Sequence, residues 1–595
     1  INLSSSIKPH PLNVKPSGNK FFLEISPDQR YKQKITEKRK KQLGYLVSFP
    51  DDLIFKILSY VNSPKDLLTL SHVSKIIYCY CSNEELWKNI YLKYYNSDES
   101  FQQKFEKNGW KGSWRSSLLN FPSDTHKRDQ ITKFLKCEYN LLCSDTIFRP
   151  YQCSQINYHL IFEKVIAIES LFQNKSSSDV NRKTTIDIPY NQVSRISENE
   201  MTLENFANNW TNYPFILVNP NDTDRKRWPQ WEMTDLLKRF PNERFRQESV
   251  KWPLDFYSDY YRKNEDESPL YLFDCNSDAM KTITKEYEVP DCFKYDLFQL
   301  FNKDDIKCRP DYRWIIIGCK RTGSTFHKDP NSTSAWNTVI SGCKLWVMLP
   351  PNVIPPGVSV SEDQSEVTSP ISLAEWVLSG FFNDILGMSN VKENNCLVCI
   401  TFPGECIYVP AGWWHCVINL KDSIALTQNF IPKKGLVNVF DFFKNKKKQI
   451  SGFHFKDVNR SIKSVIKKNK NQNNRRIEIF RDYLKKFQEI KEKYGIDETE
   501  DCGEQYGIIP IPLLELFEEL LIQDNNSKLL NETKEELRQL EKERYNEGNL
   551  KVKSSKLWDE LIHGRIENKE IQEKDNDNQV SNGFTFNFDE SDDDE

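Results

Sequence analysis

The chain has 595 residues, 38% of them hydrophobic and 28% charged, with a formal net charge of -3. At roughly 150 residues per domain this makes about three or four units, and no run approaches the ~18 apolar residues of a membrane helix, so a helical span is excluded. Fifteen cysteines, an odd number scattered along the chain, are not a dense secreted disulfide framework; they point to reduced thiols and hence to the nucleus and/or cytoplasm.

The chain opens on Ile1 rather than Met, so its start is expected to lie further upstream. Ile1 to Lys20 show no charged start followed by an apolar run of the secretory kind. Residues 1–44 are polar and basic, with Lys38-Arg39-Lys40-Lys41 as the densest run. A disordered, solvated tail is the expectation, with a nuclear address as the sharper alternative.

Near Ser48 helical spacing begins. Ile54, Ile57, Leu58 and Val61 fall at i, i+3, i+4 and i+7. Ser63 is a candidate N-cap, Pro64 the first helical position, and Asp66 stands three residues after the cap. A second helix carries Leu67, Leu70 and Val73, and a third carries Leu86, Trp87, Ile90 and Tyr91. The three segments Pro50–Tyr60, Pro64–Val73 and Leu86–Tyr91 together resemble an F-box. That resemblance implies docking to the Skp-type adaptor of a cullin–RING ubiquitin ligase, with Leu53, Ile57 and Leu67 near the docking face. The alternative is a small helical cap packed on the next domain, because so small a unit cannot bury its own apolar surface.

The F-box and following helices are placed at 45–118 and a linker or helical segment at 119–189. From 190 to 435 short apolar runs alternate with turn residues, as in Phe215–Val218, Trp314–Ile317, Leu345–Met348, Cys406–Val409 and Ile424–Thr427. Many short strands in one unit indicate a barrel or sandwich. The pair Cys396 and Cys399 sits in an apolar run and reads as buried strand, not as a zinc or redox site. Residues 436–565 hold a Lys/Asn-rich linker and C-terminal helices, with Ile477, Phe480, Leu484, Phe487 and Ile490 as one stripe. The last stretch, 566–595, ends with six acidic residues among the final seven and is expected to be disordered.

The chemistry concentrates in Arg321–Pro330. In an extended segment His327 and Asp329 point the same way, and His415 follows 86 residues after Asp329. Two His and one carboxylate can form the facial triad of non-haem Fe(II) oxygenases, which leaves positions open for co-substrate and oxygen; the alternative is a hydrogen-bonded His–Asp pair at a strand end. Ser334–Trp346 reads as two strands joined by a tight Ser-Gly turn, with Lys344, Trp346 and Met348 on one face. An apolar neighbourhood makes Lys344 either a snorkelling surface residue or a buried cation in need of an anion. Thr427 and Asn429 bring two more polar groups to one face of a late strand.

Together these segments resemble the JmjC family of Fe(II)- and 2-oxoglutarate-dependent oxygenases, nearest to its phosphatidylserine-receptor-like branch of lysyl hydroxylases and arginine demethylases. The likeness runs from about Val193 to Phe442, through Ser268–Asp274, Arg309–Trp314, Glu366–Pro370 and Val409–Phe430. Lys111–Arg115 also resembles a segment that recurs where an F-box is joined to a JmjC domain. The implied fold is multidomain α plus all-β: a small helical F-box, a double-stranded β-helix (jelly-roll, cupin-like) and a helical C-terminal extension. The resemblance places metal ligands on His327, Asp329 and His415 and 2-oxoglutarate contacts on Tyr271, Ser324, Asn337, Lys344 and Thr427, with no further catalytic residue. Ser324 stands where one branch has Thr, which keeps the hydroxyl. Lys328 replaces an apolar residue inside the HxD and is expected to point away from the metal.

The implied activity is hydroxylation or demethylation of a protein, possibly histone, lysine or arginine side chain, with oxidative decarboxylation of 2-oxoglutarate. Two rivals stand beside it: an F-box substrate receptor whose JmjC domain mainly recognises a target, and a cupin-like metal enzyme of another type. Expected partners are the Skp-type adaptor and a protein substrate. No membrane is expected, and the basic runs lack the interleaved aromatics of a nucleic-acid site.

Overall fold

The computed structural model describes residues 29–121, 145–176, 188–218, 227–361, 367–368, 372–389, 395–469, 474–502 and 509–546. The acidic end expected to be disordered lies outside the described residues. The expectation for 1–44 needs correction from Gln29 onward, because Gln29–Leu43 is a helix. Its Lys, Arg, Gln and Glu are good helix formers uninterrupted by Gly or Pro, Arg39 pairs with Asp51 at 3.0 Å, and Leu43 is buried.

Four helices follow, Asp51–Ser59, Pro64–Leu70, Lys75–Cys81 and Glu84–Tyr95. The second starts as its sequence predicts: Ser63 Oγ accepts from the Asp66 N–H at 3.3 Å and Pro64 takes the first position. Ile54, Leu58, Leu67, Trp87 and Tyr91 are buried, whereas Leu53 and Ile57 are 40% and 41% exposed. Leu67, expected near a docking face, is therefore a core residue of the unit.

Eight strands make the barrel: β1 Arg313–Gly318, β2 Gly323–His327, β3 Ser334–Ser341, β4 Lys344–Leu349, β5 Leu397–Thr401, β6 Cys406–Val409, β7 Trp414–Asn419 and β8 Ser423–Phe430. They form two four-stranded sets, β5-β4-β7-β2 and β6-β3-β8-β1, antiparallel throughout and extended at their edges by shorter strands. This is the double-stranded β-helix. β3 and β4 are joined through Gly342, whose φ of +88 suits glycine, yet they do not pair with each other: the turn carries the chain from one sheet to the other.

Period-2 alternation divides the strands between faces. Trp346, Met348, Cys399, Ile407, Val409 and Val417 pack together between the sheets, while Leu345, Val347, Cys396, Val398 and Ile400 cover the other face under the helices Leu373–Leu378 and Phe381–Ser389. Cys396 and Cys399 thus face opposite ways, which excludes a shared metal. Below the barrel, helices Leu436–Asn445, Phe455–Lys468, Arg475–Tyr494 and Leu513–Gln523 replace much of the expected linker. Phe443, Phe453 and Phe517 pack there against Phe298 and Phe301 in tilted and edge-to-face contacts. In Arg475–Tyr494 the buried stripe is Ile477, Phe480, Tyr483 and Phe487, so Tyr483 takes the place foreseen for Leu484. From Asn525 a second unit begins, a helix over 527–546 among the described residues. Among those residues no helix is long and apolar enough to cross a membrane.

The F-box unit does not stand apart. Its buried residues belong to one apolar cluster with the outer face of the barrel, running from Ile54 and Trp87 through Trp252 and Tyr260 to Leu426 and Phe430. The alternative of a cap packed on the next domain is thus met, and the unit also leaves apolar side chains exposed.

Candidate active site

His327 closes β2, Asp329 follows it, and His415 lies on β7 directly opposite His327. The two rings are 4.1 Å apart, centre to centre. One ligand-type atom from each of the three residues falls within a 4.8 Å group. A bulge makes this possible. Opposed residues of an antiparallel pair share a face; His415 opposes His327 and Val417 opposes Ser324, with a register shift between them. Strict alternation would send Ser324 and His327 to opposite faces, and the extra residue brings both inward. Lys328 points away as expected: its ammonium donates to the Pro351 carbonyl at 3.1 Å and lies 4.5 Å from the centre of the Trp414 ring.

The electrostatics suit a divalent cation. His327 Nδ1 is 2.7 Å from the Thr325 carbonyl and His415 Nδ1 3.2 Å from that of Trp413. A carbonyl can only accept, so both Nδ1 atoms carry the proton and the Nε2 lone pairs are free to bind metal. Burial, and secondarily the charge of His327, holds the His415 imidazole well below its ordinary range. Burial pushes the Asp329 carboxyl up, against the pull of His327 and of a hydrogen bond from Asn429. Asp329 Oδ2 is buried with no hydrogen-bond partner among the described residues. Two imidazole nitrogens and a buried carboxylate oxygen form a donor set that a divalent cation completes.

Deeper between the sheets lies Lys344, 1% exposed. Its ammonium donates to Tyr271 Oη at 2.7 Å and Asn419 Oδ1 at 2.8 Å, and burial lowers its pKa to about 7. Both partners are neutral, and among the described residues no carboxylate pairs with it. Asn419 in turn donates to Thr322 Oγ1 at 2.7 Å. The Tyr271 ring fits because residue 318 is glycine; a Cβ there would lie 2.5 Å from the ring. Thr427 and Asn337 are directly opposed on β8 and β3. Thr427 donates to the Trp336 carbonyl at 2.7 Å, which leaves its oxygen able to accept, and Asn337 Oδ1 is buried without a partner among the described residues. A cavity of about 420 Å³ is lined by Ser324 and His327, with Glu248, Glu267, Ser268 and Arg321 also in its wall. All eight predicted positions thus lie on the inward faces or in the segment that closes over them.

Asn419 was missed, although it stands four residues after His415, on the same face by parity. Asn331 had no signal. It follows Asp329 by two residues, is buried, and holds φ +55. Its side chain donates to the Ser451 carbonyl at 2.8 Å and accepts from the Ser451 N–H at 3.0 Å, so the C-terminal extension braces the loop that carries the carboxylate. Asn331→Ala is expected to weaken metal binding and to lower stability by about 1–3 kcal/mol. Metal titration and thermal melts test this; unchanged values in both would show that the loop supports itself.

A family model for a cupin-like domain matches residues 173–435 and one for an F-box-like domain residues 46–93. The arginine-specific demethylase JMJ22 of Arabidopsis thaliana is 33% identical over 449 residues, covering 74% of this chain and 77% of that protein. The chain belongs to the JmjC family. The lysine-specific demethylase JMJ21 of the same plant is 29% identical over 67% of this chain and 38% of its own length. The bifunctional arginine demethylase and lysyl-hydroxylase psr-1 of Caenorhabditis elegans is 32% identical over 41% of this chain and 62% of its own. This JmjC family is one of Fe(II)- and 2-oxoglutarate-dependent oxygenases, and the residues fit both groups: three N and O donors face one point, and a buried ammonium awaits a dicarboxylate.

Proposed function

We propose that the chain hydroxylates or demethylates a lysine or arginine side chain of a protein, with His327, Asp329 and His415 as the iron ligands. Lys344, aided by Tyr271, Thr427 and Asn337, holds 2-oxoglutarate, and Ser324 lies beside the metal end. The observation that carries the reading is Lys344, a buried ammonium whose described partners are all neutral. Burying an ammonium without an anion is costly, and a distal carboxylate removes that cost. When bound, iron and 2-oxoglutarate together supply the oxidation of a C–H bond, which the side chains themselves cannot perform. This chain's part is placement. Lys344 fixes one end of the co-substrate, the Nδ1-anchored imidazoles keep their Nε2 atoms on one point, and Trp346, Met348 and Val417 keep water out. Glu248 and Glu267 in the cavity wall suit a cationic side chain.

The test is Fe(II)-dependent conversion of 2-oxoglutarate to succinate by the purified protein, with lysine, arginine and N-methylated peptides. Formaldehyde marks demethylation, and a mass gain of one oxygen marks hydroxylation. No succinate with any peptide, or without iron dependence, would remove the oxygenase reading.

The F-box supports a second role, as substrate receptor of a cullin–RING ligase. Tyr45, Phe49, Leu53, Ile57, Tyr60 and Val73 are exposed on the helical unit, apolar side chains that a Skp-type adaptor could cover. Leu53→Asp combined with Ile57→Asp is expected to abolish co-purification of such an adaptor while leaving metal content and melting temperature close to wild type, since both side chains are half in solvent. Adaptor retained by the double variant would place docking elsewhere.

A further inference from the structure

We infer that the F-box unit is a positioning element of the oxygenase, fixing Tyr271 beside the Lys344 ammonium through two separate sets of hydrogen bonds. The inference rests on the reading of Lys344 and Tyr271 as the co-substrate end of the site.

The first set runs through a hairpin. Strands Arg244–Gln247 and Val250–Pro253 pair antiparallel, and the F-box helix Glu84–Tyr95 grips the second of them. Tyr95 Oη donates to the Lys251 carbonyl at 2.9 Å and accepts from the Lys251 N–H at 2.8 Å, and Trp252 Nε1 donates to Tyr91 Oη at 2.9 Å. At the hairpin tip Glu248 holds φ +49, and its Oε1 accepts the backbone N–H of Tyr271 at 3.2 Å. A non-glycine residue in that region persists when its surroundings hold it, and here the F-box side chains hold the strand that follows.

The second set runs through Asp266, five residues before Tyr271 and 2% exposed. Trp114, in the helix Trp114–Leu118 that packs against the F-box helices, donates its indole N–H to Asp266 Oδ2 at 2.9 Å. Tyr260 Oη donates to the same oxygen at 2.6 Å and accepts from the Leu270 N–H at 2.7 Å. Arg321, two residues before β2, donates to the Asp266 carbonyl at 2.6 Å. Asp266 thus ties one F-box-side tryptophan to the segment that carries Tyr271 and to the strand that carries Ser324 and His327. A buried carboxylate that loses a donor must find another or move, and Tyr271 lies on the segment that would move.

The test titrates 2-oxoglutarate calorimetrically into full-chain protein loaded with Mn(II). Tyr95→Phe keeps the ring and deletes the hydroxyl, while Trp114→Phe keeps an aromatic ring but deletes the indole N–H together with part of the buried ring system. Each is expected to weaken 2-oxoglutarate roughly fivefold or more, the lower range of coupling between linked sites, while Mn(II) affinity stays at wild type. Leu67→Ala, a core change in the same helical unit with no hydrogen bond toward Tyr271, is expected to lower the melting temperature and leave the 2-oxoglutarate affinity unchanged. A purely structural role would move the melting temperature in all three and the affinity in none, and that outcome overturns the inference. So does an equal loss of affinity in Leu67→Ala, which would mean general loosening. Lys344→Ala separates the two levels: if it weakens 2-oxoglutarate while Trp114→Phe and Tyr95→Phe do not, the positioning role alone is lost, and if it too is without effect, the co-substrate site is misplaced.

Discussion

His415→Ala is expected to abolish metal binding and 2-oxoglutarate turnover together. His415 supplies one of three donors, and the two that would be left, His327 and Asp329, lie on one continuous segment of chain. Altering only the supporting partners of a metal ligand weakens affinity by about 10–100-fold, so losing a ligand itself is expected to exceed the upper end of that range. The variant should fold. In the metal-free protein His415 is a buried neutral imidazole beside another imidazole, and its removal relieves a desolvated group. The comparison is therefore made on the metal-dependent rise in melting temperature, which follows from binding to the native state alone. Wild type should gain stability with Co(II) or Mn(II), and His415→Ala should gain none. Equal metal stoichiometry in the two proteins would discard the His-Asp-His centre.

Most of that centre was legible in the sequence because its cues are local. The i, i+2 spacing of His327 and Asp329 is a strand property, and parity put Lys344, Trp346 and Met348 on one face without saying which face is inner. The N-cap of Pro64–Leu70 is equally a matter of four consecutive residues. What escaped depends on distant chain. The bulge that turns Ser324 and His327 to the same side is set by pairing with β7, about ninety residues away. Leu67 was placed near the docking face by the F-box resemblance, and a loose motif does not announce which apolar positions of a helix its neighbours cover. The exchange between Asn331 and Ser451 spans 120 residues, and the grip of Tyr95 on Lys251 spans 156; neither leaves a periodic trace. The Ser-Gly turn was visible, but whether it closes a hairpin or changes sheets depends on partners supplied by β7 and β8.

Affinity for 2-oxoglutarate is expected to fall as pH rises above about 7, and Lys344 is the reason. Burial lowers its pKa to about 7 in the free protein, so at pH 8 most molecules hold a neutral amine among Tyr271 and Asn419. A distal carboxylate placed beside it restores the ammonium, and binding then takes up a proton. Between the free and bound pKa values each pH unit therefore weakens binding by up to about tenfold, while below pH 7 the group is already charged and its contribution is flat. Lys344→Ala should weaken binding at neutral pH by about 1.5–3 kcal/mol, the value of a hydrogen bond to a charged group, and should flatten the profile above pH 7. The same shift fixes the sign for folding. A lysine with a depressed native pKa binds fewer protons folded than unfolded between about 7 and its unperturbed ~10.4, so its contribution makes the co-substrate-free protein more stable as pH rises through that window. That slope should be missing from Lys344→Ala and suppressed in wild type saturated with 2-oxoglutarate. Calorimetric titrations and thermal melts at pH 6.5, 7.5 and 8.5 read both effects on one pair of proteins. Parallel profiles for wild type and Lys344→Ala would show that the ammonium does not meet the co-substrate, because only a cation that gains its anion on binding couples proton uptake to 2-oxoglutarate.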